Sequence, residues 1–309
     1  MPTPNQVRPT RRRRVQLSTP GSSEKMMAKA AQSAADHVFL DLEDSVAPNQ
    51  KVAARQKVVE ALNTLDWGGK TRCVRINDLS TEFAYEDIIE VVEGAGANLD
   101  TIMMTKVTSA ADILFTDRLL RMMEKKLKLA RPIGIEALIE EVEGLQHIEE
   151  IAHASDRLEC LIFGMGDFSA SMGVSVEAAM GGSGTYPGDI WHYARFRLVM
   201  ACRAAGIDPV DGPYADFKNP DGYREECKRA AALGCVGKWA IHPSQIVVAT
   251  EVFSPDPAKV AYARKLAAAY AAAESQGLGA INVDGTMVDV ASIRILRNTV
   301  LKKADLYGM

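Results

Sequence analysis

The sequence predicts an α/β fold: a (β/α)8 TIM barrel with a C-terminal helix-hairpin-helix extension. Three observations predict it. Eight short apolar runs alternate with helical stretches, as strands buried on both faces and joined by crossover helices would. The length, 309 residues, suits one large barrel. After Pro255 the pattern departs from the alternation and supplies more elements than a barrel needs. Seven runs would have suited a doubly wound sheet, so the eighth matters.

The elements follow in order. An arginine-rich arm, residues 1–13, contains Arg8 and Arg11 to Arg13 and reads as solvated chain or as a phosphate-seeking cluster. The barrel is placed at 14–253. Its strands are read at 14–17, 37–42, 72–77, 101–107, 132–139, 159–165, 208–212 and 238–242. Between them, "SSEKMMAKAAQSAA" offers Ser22 and Ser23 as N-caps. "PNQKVAARQKVVEALNTL" opens near Pro48 and aligns Val52, Val59 and Leu62. "WHYARFRLVMACRAAG" stops at Gly206, a residue suited to the left-handed position after a helix. The extension, 254–309, reads as an Ala-rich helix ending at Gly277, a hairpin turning at Asp284-Gly285, and a last amphipathic helix.

Composition narrows the function classes. Apolar content of 47% and charged content of 25% describe an ordinary globular chain. A net charge of −4 gives no case for nucleic acid as a partner. No apolar stretch is long enough for a membrane span, and the first residues lack the apolar core of a secretory signal. The five cysteines are odd in number and form no CxxC pair, which points to reduced thiols and a cytoplasmic setting.

The site of such a barrel lies at the C-terminal ends of its strands. Read there, strand by strand, are Glu43 and Asp44, then Arg75 and Asn77, Lys106, Glu136 with Glu140 and Glu141, Asp167, Asp211 and His242. The rim is acidic with one or two cations. Any single acid there is as readily a salt-bridge partner or a helix cap. The set, with no Cys/His cluster beside it, suits a hard divalent ion with oxygen ligands, Mg²⁺ above zinc. Arg75 lies inside a strand, where an unpaired guanidinium is costly, so it must face a rim carboxylate or a substrate anion. Lys106 and His242 read as supporting or channel-lining residues.

Longer motifs carry a resemblance. "FLDLEDSVAP", "VRIN", "EALIE", "FGMGDFSASMG", "ACRAAGIDPVDGPYADF", "GCVGKWAIHPSQI" and "VDVASI" stand in order between Arg14 and Ile293. Together they resemble the malyl-CoA lyase group of the citrate lyase β-subunit-like family, in the HpcH/HpaI aldolase superfamily. The resemblance implies a Mg²⁺- or Mn²⁺-dependent acyl-CoA lyase acting on a coenzyme A thioester and a 2-oxo acid. It would cleave (S)-malyl-CoA reversibly to acetyl-CoA and glyoxylate, and β-methylmalyl-CoA to propionyl-CoA and glyoxylate. It puts the metal carboxylates on Glu140 and Asp167 and puts Arg75 at the thioester carbonyl. Asp289 becomes the acid/base, supplied by a neighbouring subunit of a homotrimer or homohexamer. Arg14 and Lys29 fall near the CoA phosphates, and Ile241, His242 and Pro243 line the CoA channel. Glu43 and Asp44 would then support metal-bound water or orient Arg75. The loop at 174–192 borders the acid pocket and is shorter than in that group. Three alternatives stand beside this reading: a malyl-CoA thioesterase, a citramalyl-CoA lyase, and a carrier-dependent subunit of a multi-protein lyase complex.

Overall fold

The computed structural model describes residues 8–175 and 188–309. Most of the loop expected to border the acid pocket, 176–187, lies outside them. The chain divides into two compact units: residues 1–9 with 13–252, and residues 10–12 with 253–309.

The first unit is a closed barrel of eight parallel strands in sequence order. These are β1 (Val15–Pro20), β2 (His37–Asp41), β3 (Thr71–Arg75), β4 (Thr101–Met104), β5 (Gly134–Ile139), β6 (Leu158–Phe163), β7 (Asp208–Asp211) and β8 (Gly237–Ala240). Pairing of Val15 with Lys238 and of Gln16 with Trp239 closes the ring. The fold class read from the alternation is therefore the one observed. Strands end earlier or later than read: β4 stops at Met104, because Thr105 and Lys106 turn out of the ladder.

Between strands run α1 (Glu24–Ala31), α2 (Lys51–Thr64), α3 (Ala84–Ala95), α4 (Ala110–Leu127), α5 (Val142–Gln146), α6 (Ile148–Ala152), α7 (Met165–Ser171), α8 (His192–Ala205), α9 (Pro220–Leu233) and α10 (Ser244–Phe253). Local chemistry sets their ends. Ser23 caps α1 by accepting from the N–H of Met26. Ser109 and Asp112 form a reciprocal capping box at α4. Gly206 ends α8 in the left-handed conformation, φ 69°.

Phe39, Cys73, Met103, Leu138, Cys160, Ile162, Val210 and Trp239 fill the barrel interior. The Phe39 and Trp239 rings meet at 4.5 Å. Below this layer, at the N-terminal ends of the strands, the barrel is closed by charge. Arg13 reaches Glu136 (3.2 Å), Glu159 (2.7 Å) and Asp208 (3.0 Å). Gln16 donates to Glu136 and accepts from the Trp239 indole. Two expectations are corrected here. Arg13 is no part of a solvated arm; it is a buried plug, drawn in by three carboxylates that need a cation. Arg8 is likewise held, by the carbonyls of Ser155, Asp156 and Ala205. Glu136 is not on the rim; it sits four residues before Glu140 on an inward-facing row, ~13 Å deeper by strand rise.

The second unit contains α11 (Pro257–Glu274), β9 (Ala280–Val283), β10 (Thr286–Asp289), α12 (Val290–Leu296) and α13 (Lys302–Leu306). A π-helical turn, Arg297–Leu301, joins the last two. The hairpin turns at Asp284 (φ 53°) and Gly285 (φ 83°), where two successive positive φ values match a type I′ turn. Leu266, Tyr270, Val288 and Ile293 form its core. Among the described residues no helix is long and apolar enough to cross a membrane.

Candidate active site

The mouth is built from strand ends and the turns that follow them. Asp41 ends β2 and Arg75 ends β3, directly paired in register. Asp41 accepts from Arg75 Nε (2.7 Å) and Nη2 (2.6 Å), a bidentate pair. Its oxygens also accept from the backbone N–H groups of Glu43 and Ser45. Burial pushes the Asp41 pKa up, and the Arg75 charge and hydrogen bonds outweigh this and hold it below the usual carboxylate value. The Arg75 guanidinium lies 5.8 Å and 5.6 Å from the Phe39 and Trp239 rings, so the apolar layer is its floor.

Glu43 leaves β2 just above this pair. One of its oxygens stands 2.9 Å from Arg75 Nη1, and the other accepts from Lys106 Nζ at 2.7 Å. Asp44 is exposed and only 3.9 Å from Arg75 at its nearest. Lys106 adopts a left-handed backbone, φ 49°, and gives its N–H to Glu140 Oε1 at 2.9 Å. Its ammonium stands 3.9 Å from Asp167. Asp167 lies in the first turn of α7, with its side chain open to solvent.

Glu140 is strongly perturbed by its surroundings. Burial first, then the charges of Glu43 and Asp167, push its pKa up to about 8. The Lys106 pKa is raised as well, for a different reason. Burial alone would lower its pKa, but the Glu43 hydrogen bond and the surrounding carboxylates raise it above the usual lysine value. Close to Glu140 the backbone must be glycine: a Cβ on Gly164 would fall 2.5 Å from Glu140 Oε2.

This arrangement fits a divalent cation. Glu43, Glu140 and Asp167 surround Lys106 and offer carboxylate oxygens only, the donors a hard ion prefers. Glu140 gains from nearby positive charge, and Asp167 faces solvent, where an ion could enter. A tighter grouping exists elsewhere: His37, Cys73 and Glu136 bring ligand atoms within 4.8 Å of one another. That group is fully buried, and Arg13 already supplies its positive charge, so the mouth is the better candidate.

The structure brings together Arg75, Glu43, Glu140 and Asp167, with Asp44 at their edge. Ile241, His242 and Pro243 follow β8 on the same end of the barrel, where the His242 ring stacks on Phe217 at 4.8 Å. Lys29 lies in the last turn of α1. Arg14 is not brought to the mouth. It precedes β1, at the closed end, with its guanidinium held by both oxygens of Asp36. Asp211 is buried between barrel and helices, paired with Arg195 and Lys238. Asp289, in the second unit, caps α12 by accepting from the N–H and hydroxyl of Ser292, hydrogen bonds that lower its pKa.

Two residues were underrated from sequence. Asp41 had a signal: a lone acid inside an apolar strand, one strand away from a lone arginine. Lys106 reads from sequence as a rim cation, but its double grip does not, since a left-handed turn at a lysine leaves no mark in composition.

Comparison with known proteins gives a consistent picture. A family model described as HpcH/HpaI aldolase/citrate lyase matches residues 14–243. The chain is 46% identical, over 96% of both chains, to the L-malyl-CoA/β-methylmalyl-CoA lyase of Cereibacter sphaeroides. It is 35% identical, over 93% of both, to a (3S)-malyl-CoA thioesterase of Cereibacter sphaeroides. Among solved structures it is similar to CitE of Mycobacterium tuberculosis in complex with magnesium, acetoacetate and coenzyme A. That match has 30% identity and a TM-score of 0.72, covering 94% of this chain and 97% of the other.

Proposed function

The chain belongs to the HpcH/HpaI aldolase/citrate lyase family, and from that premise we propose that it is a metal-dependent carbon–carbon lyase. It cleaves (S)-malyl-CoA reversibly to acetyl-CoA and glyoxylate, and β-methylmalyl-CoA to propionyl-CoA and glyoxylate, with Mg²⁺ or Mn²⁺. The observation that carries the reading is the mouth: Glu140 and Asp167 beside a fixed guanidinium and a fixed ammonium, in a chain so similar to lyases of that specificity.

When bound, the ion supplies a Lewis acid for the oxygens of the 2-hydroxy acid half. Glu140 and Asp167 would hold it. Arg75 gives its Nε–Nη2 edge to Asp41, sets Nη1 against Glu43, and keeps a further N–H on each Nη for the thioester carbonyl, where enolate charge develops. Asp289 of a neighbouring subunit acts as the base; its hydrogen bonds from Ser292 favour the ionised form that role needs. It takes the hydroxyl proton as the C–C bond breaks. The hydroxyl carbon becomes the aldehyde of glyoxylate, and the bond's electron pair becomes the acetyl-CoA enolate, which is then protonated at carbon. The Phe217–His242 stack, with Ile241 and Pro243, lines the channel for the CoA adenine, and Lys29 is assigned to its phosphates. Arg14, committed to Asp36, is left out of that channel.

We assign the protein to a homo-oligomer, trimer or hexamer. Exposed Leu114, Phe115 and Met122 on one face of α4 support self-association. Five buried thiols support the cytoplasm.

Incubation of the purified chain with (S)-malyl-CoA and Mg²⁺ tests the reading; it fails if no divalent metal yields glyoxylate. The thioesterase relative supports a second reading, which predicts malate and free CoA instead. Pyruvate from citramalyl-CoA would mark a broader 2-oxo acid pocket, and turnover of free CoA thioesters excludes a carrier-dependent subunit.

A further inference from the structure

We propose that Lys106 withholds Glu43 from the metal, and so keeps the ion's coordination open for the 2-oxo acid. The inference rests on reading Glu140 and Asp167 as the metal carboxylates.

It starts from a backbone outlier. Among the described residues three non-glycines have positive φ: Lys106, Lys128 and Asp284. Lys128 ends α4 and Asp284 turns the hairpin, both ordinary uses of that conformation. Lys106 does neither. It lies two residues past the end of β4 and holds a conformation that costs any residue with a Cβ. What the conformation achieves is a divided grip. The N–H goes to Glu140 Oε1 (2.9 Å) and the ammonium to Glu43 Oε1 (2.7 Å).

The consequence is a sorting of the three mouth carboxylates. Glu43 has a cation on each oxygen, Lys106 at 2.7 Å and Arg75 at 2.9 Å. Glu140 receives a neutral N–H, which orients it without neutralising it. Asp167 is 3.9 Å from the ammonium and faces solvent. Without Lys106, Glu43 would be a third anionic oxygen donor turned toward the same ion. A hard ion such as Mg²⁺ accepts about six oxygens, and a chelated 2-oxo acid needs two of them. A third carboxylate therefore tightens metal binding while competing with substrate. Lys106 is in this sense a positioning residue.

The two effects run in opposite directions, and this separates the proposal from plain structural support. Mn²⁺ alone is titrated into the intact protein and free Mn²⁺ is followed by electron paramagnetic resonance. Lys106→Met should bind Mn²⁺ about tenfold tighter, within the range for altered metal surroundings. Its kcat should fall, and its KM for glyoxylate in the condensation direction should rise. Lys106→Gly, which suits the left-handed backbone and keeps the N–H to Glu140, should behave the same and guards against misfolding of the first variant. Adding Glu43→Gln to Lys106→Met should return Mn²⁺ affinity to within about threefold of the parent, because the freed carboxylate is gone. Folded Lys106→Met and Lys106→Gly proteins that bind Mn²⁺ no more tightly than the parent would overturn the proposal. If Asp167→Ala binds Mn²⁺ as the parent does, the metal reading fails first, and this inference with it.

Discussion

The two ends of the barrel hold similar side chains and use them differently. At the closed end Arg13 meets Glu136, Glu159 and Asp208, and Gln16 and Thr101 add hydrogen bonds to Glu136. At the mouth Arg75 and Lys106 face Asp41, Glu43, Glu140 and Asp167. The closed end spends its cation on buried acids. The mouth leaves Glu140 with its pKa at about 8 and Asp167 open to solvent. Saturated charge holds a fold together; charge still in need of a partner binds something.

The sharpest break of this contrast is loss of a carboxylate we propose to hold the metal. Glu140→Ala should lower turnover by roughly 10³-fold or more, with Mn²⁺ binding lost and the melting temperature little changed. The mirror experiment is Arg13→Met. It strands buried carboxylates and should cost ~3–5 kcal/mol of stability in urea unfolding, while kcat of the folded fraction is unchanged. If Arg13→Met instead spares stability and abolishes turnover, the division between the two ends is wrong. Arg75→Lys should come next, at roughly 10²-fold in kcat, because an ammonium cannot keep the bidentate pair with Asp41 and reach the carbonyl as well.

A pH experiment sharpens the contrast further. The metal-free fold holds Glu140 at about 8 against an ordinary 4.5, so the native state binds the proton more tightly than the unfolded chain. Metal-free stability should therefore fall as pH rises from about 4.5 to about 8. Saturating Mg²⁺ should flatten that slope, measured by thermal melts across the range. Smallest is Phe217→Ala: removal of the ring under His242 should raise the KM for the thioester several-fold, leave kcat alone and leave Mn²⁺ affinity untouched.

The sequence carried much of this. Runs such as "HVFLDL" and "ECLIFGM" are apolar on both faces, so they can only be strands covered on both sides. Because a barrel's chemistry sits at strand ends, Glu140 and Asp167 were legible as rim residues once those ends were placed, and only the family resemblance singled them out as metal carboxylates. Glu136 was misplaced because a run's composition does not say which end of a strand a residue occupies, nor whether it points inward. Arg14 was read at the start of its strand, where it stands, and only motif matching had sent it to the CoA phosphates.

What the sequence determined by itself was the alternation, the order of the motifs and hence the barrel and its family. Tertiary structure decided the partnerships. Asp41 binds Arg75 across 34 residues and Lys106 binds Glu43 across 63, because register aligns neighbouring strand ends that are distant in the chain. Side chains alternate with a period of two, so a one-residue difference in register would have turned each to the other face. Local pattern cannot encode that choice; closure of the eight strands into one ring does.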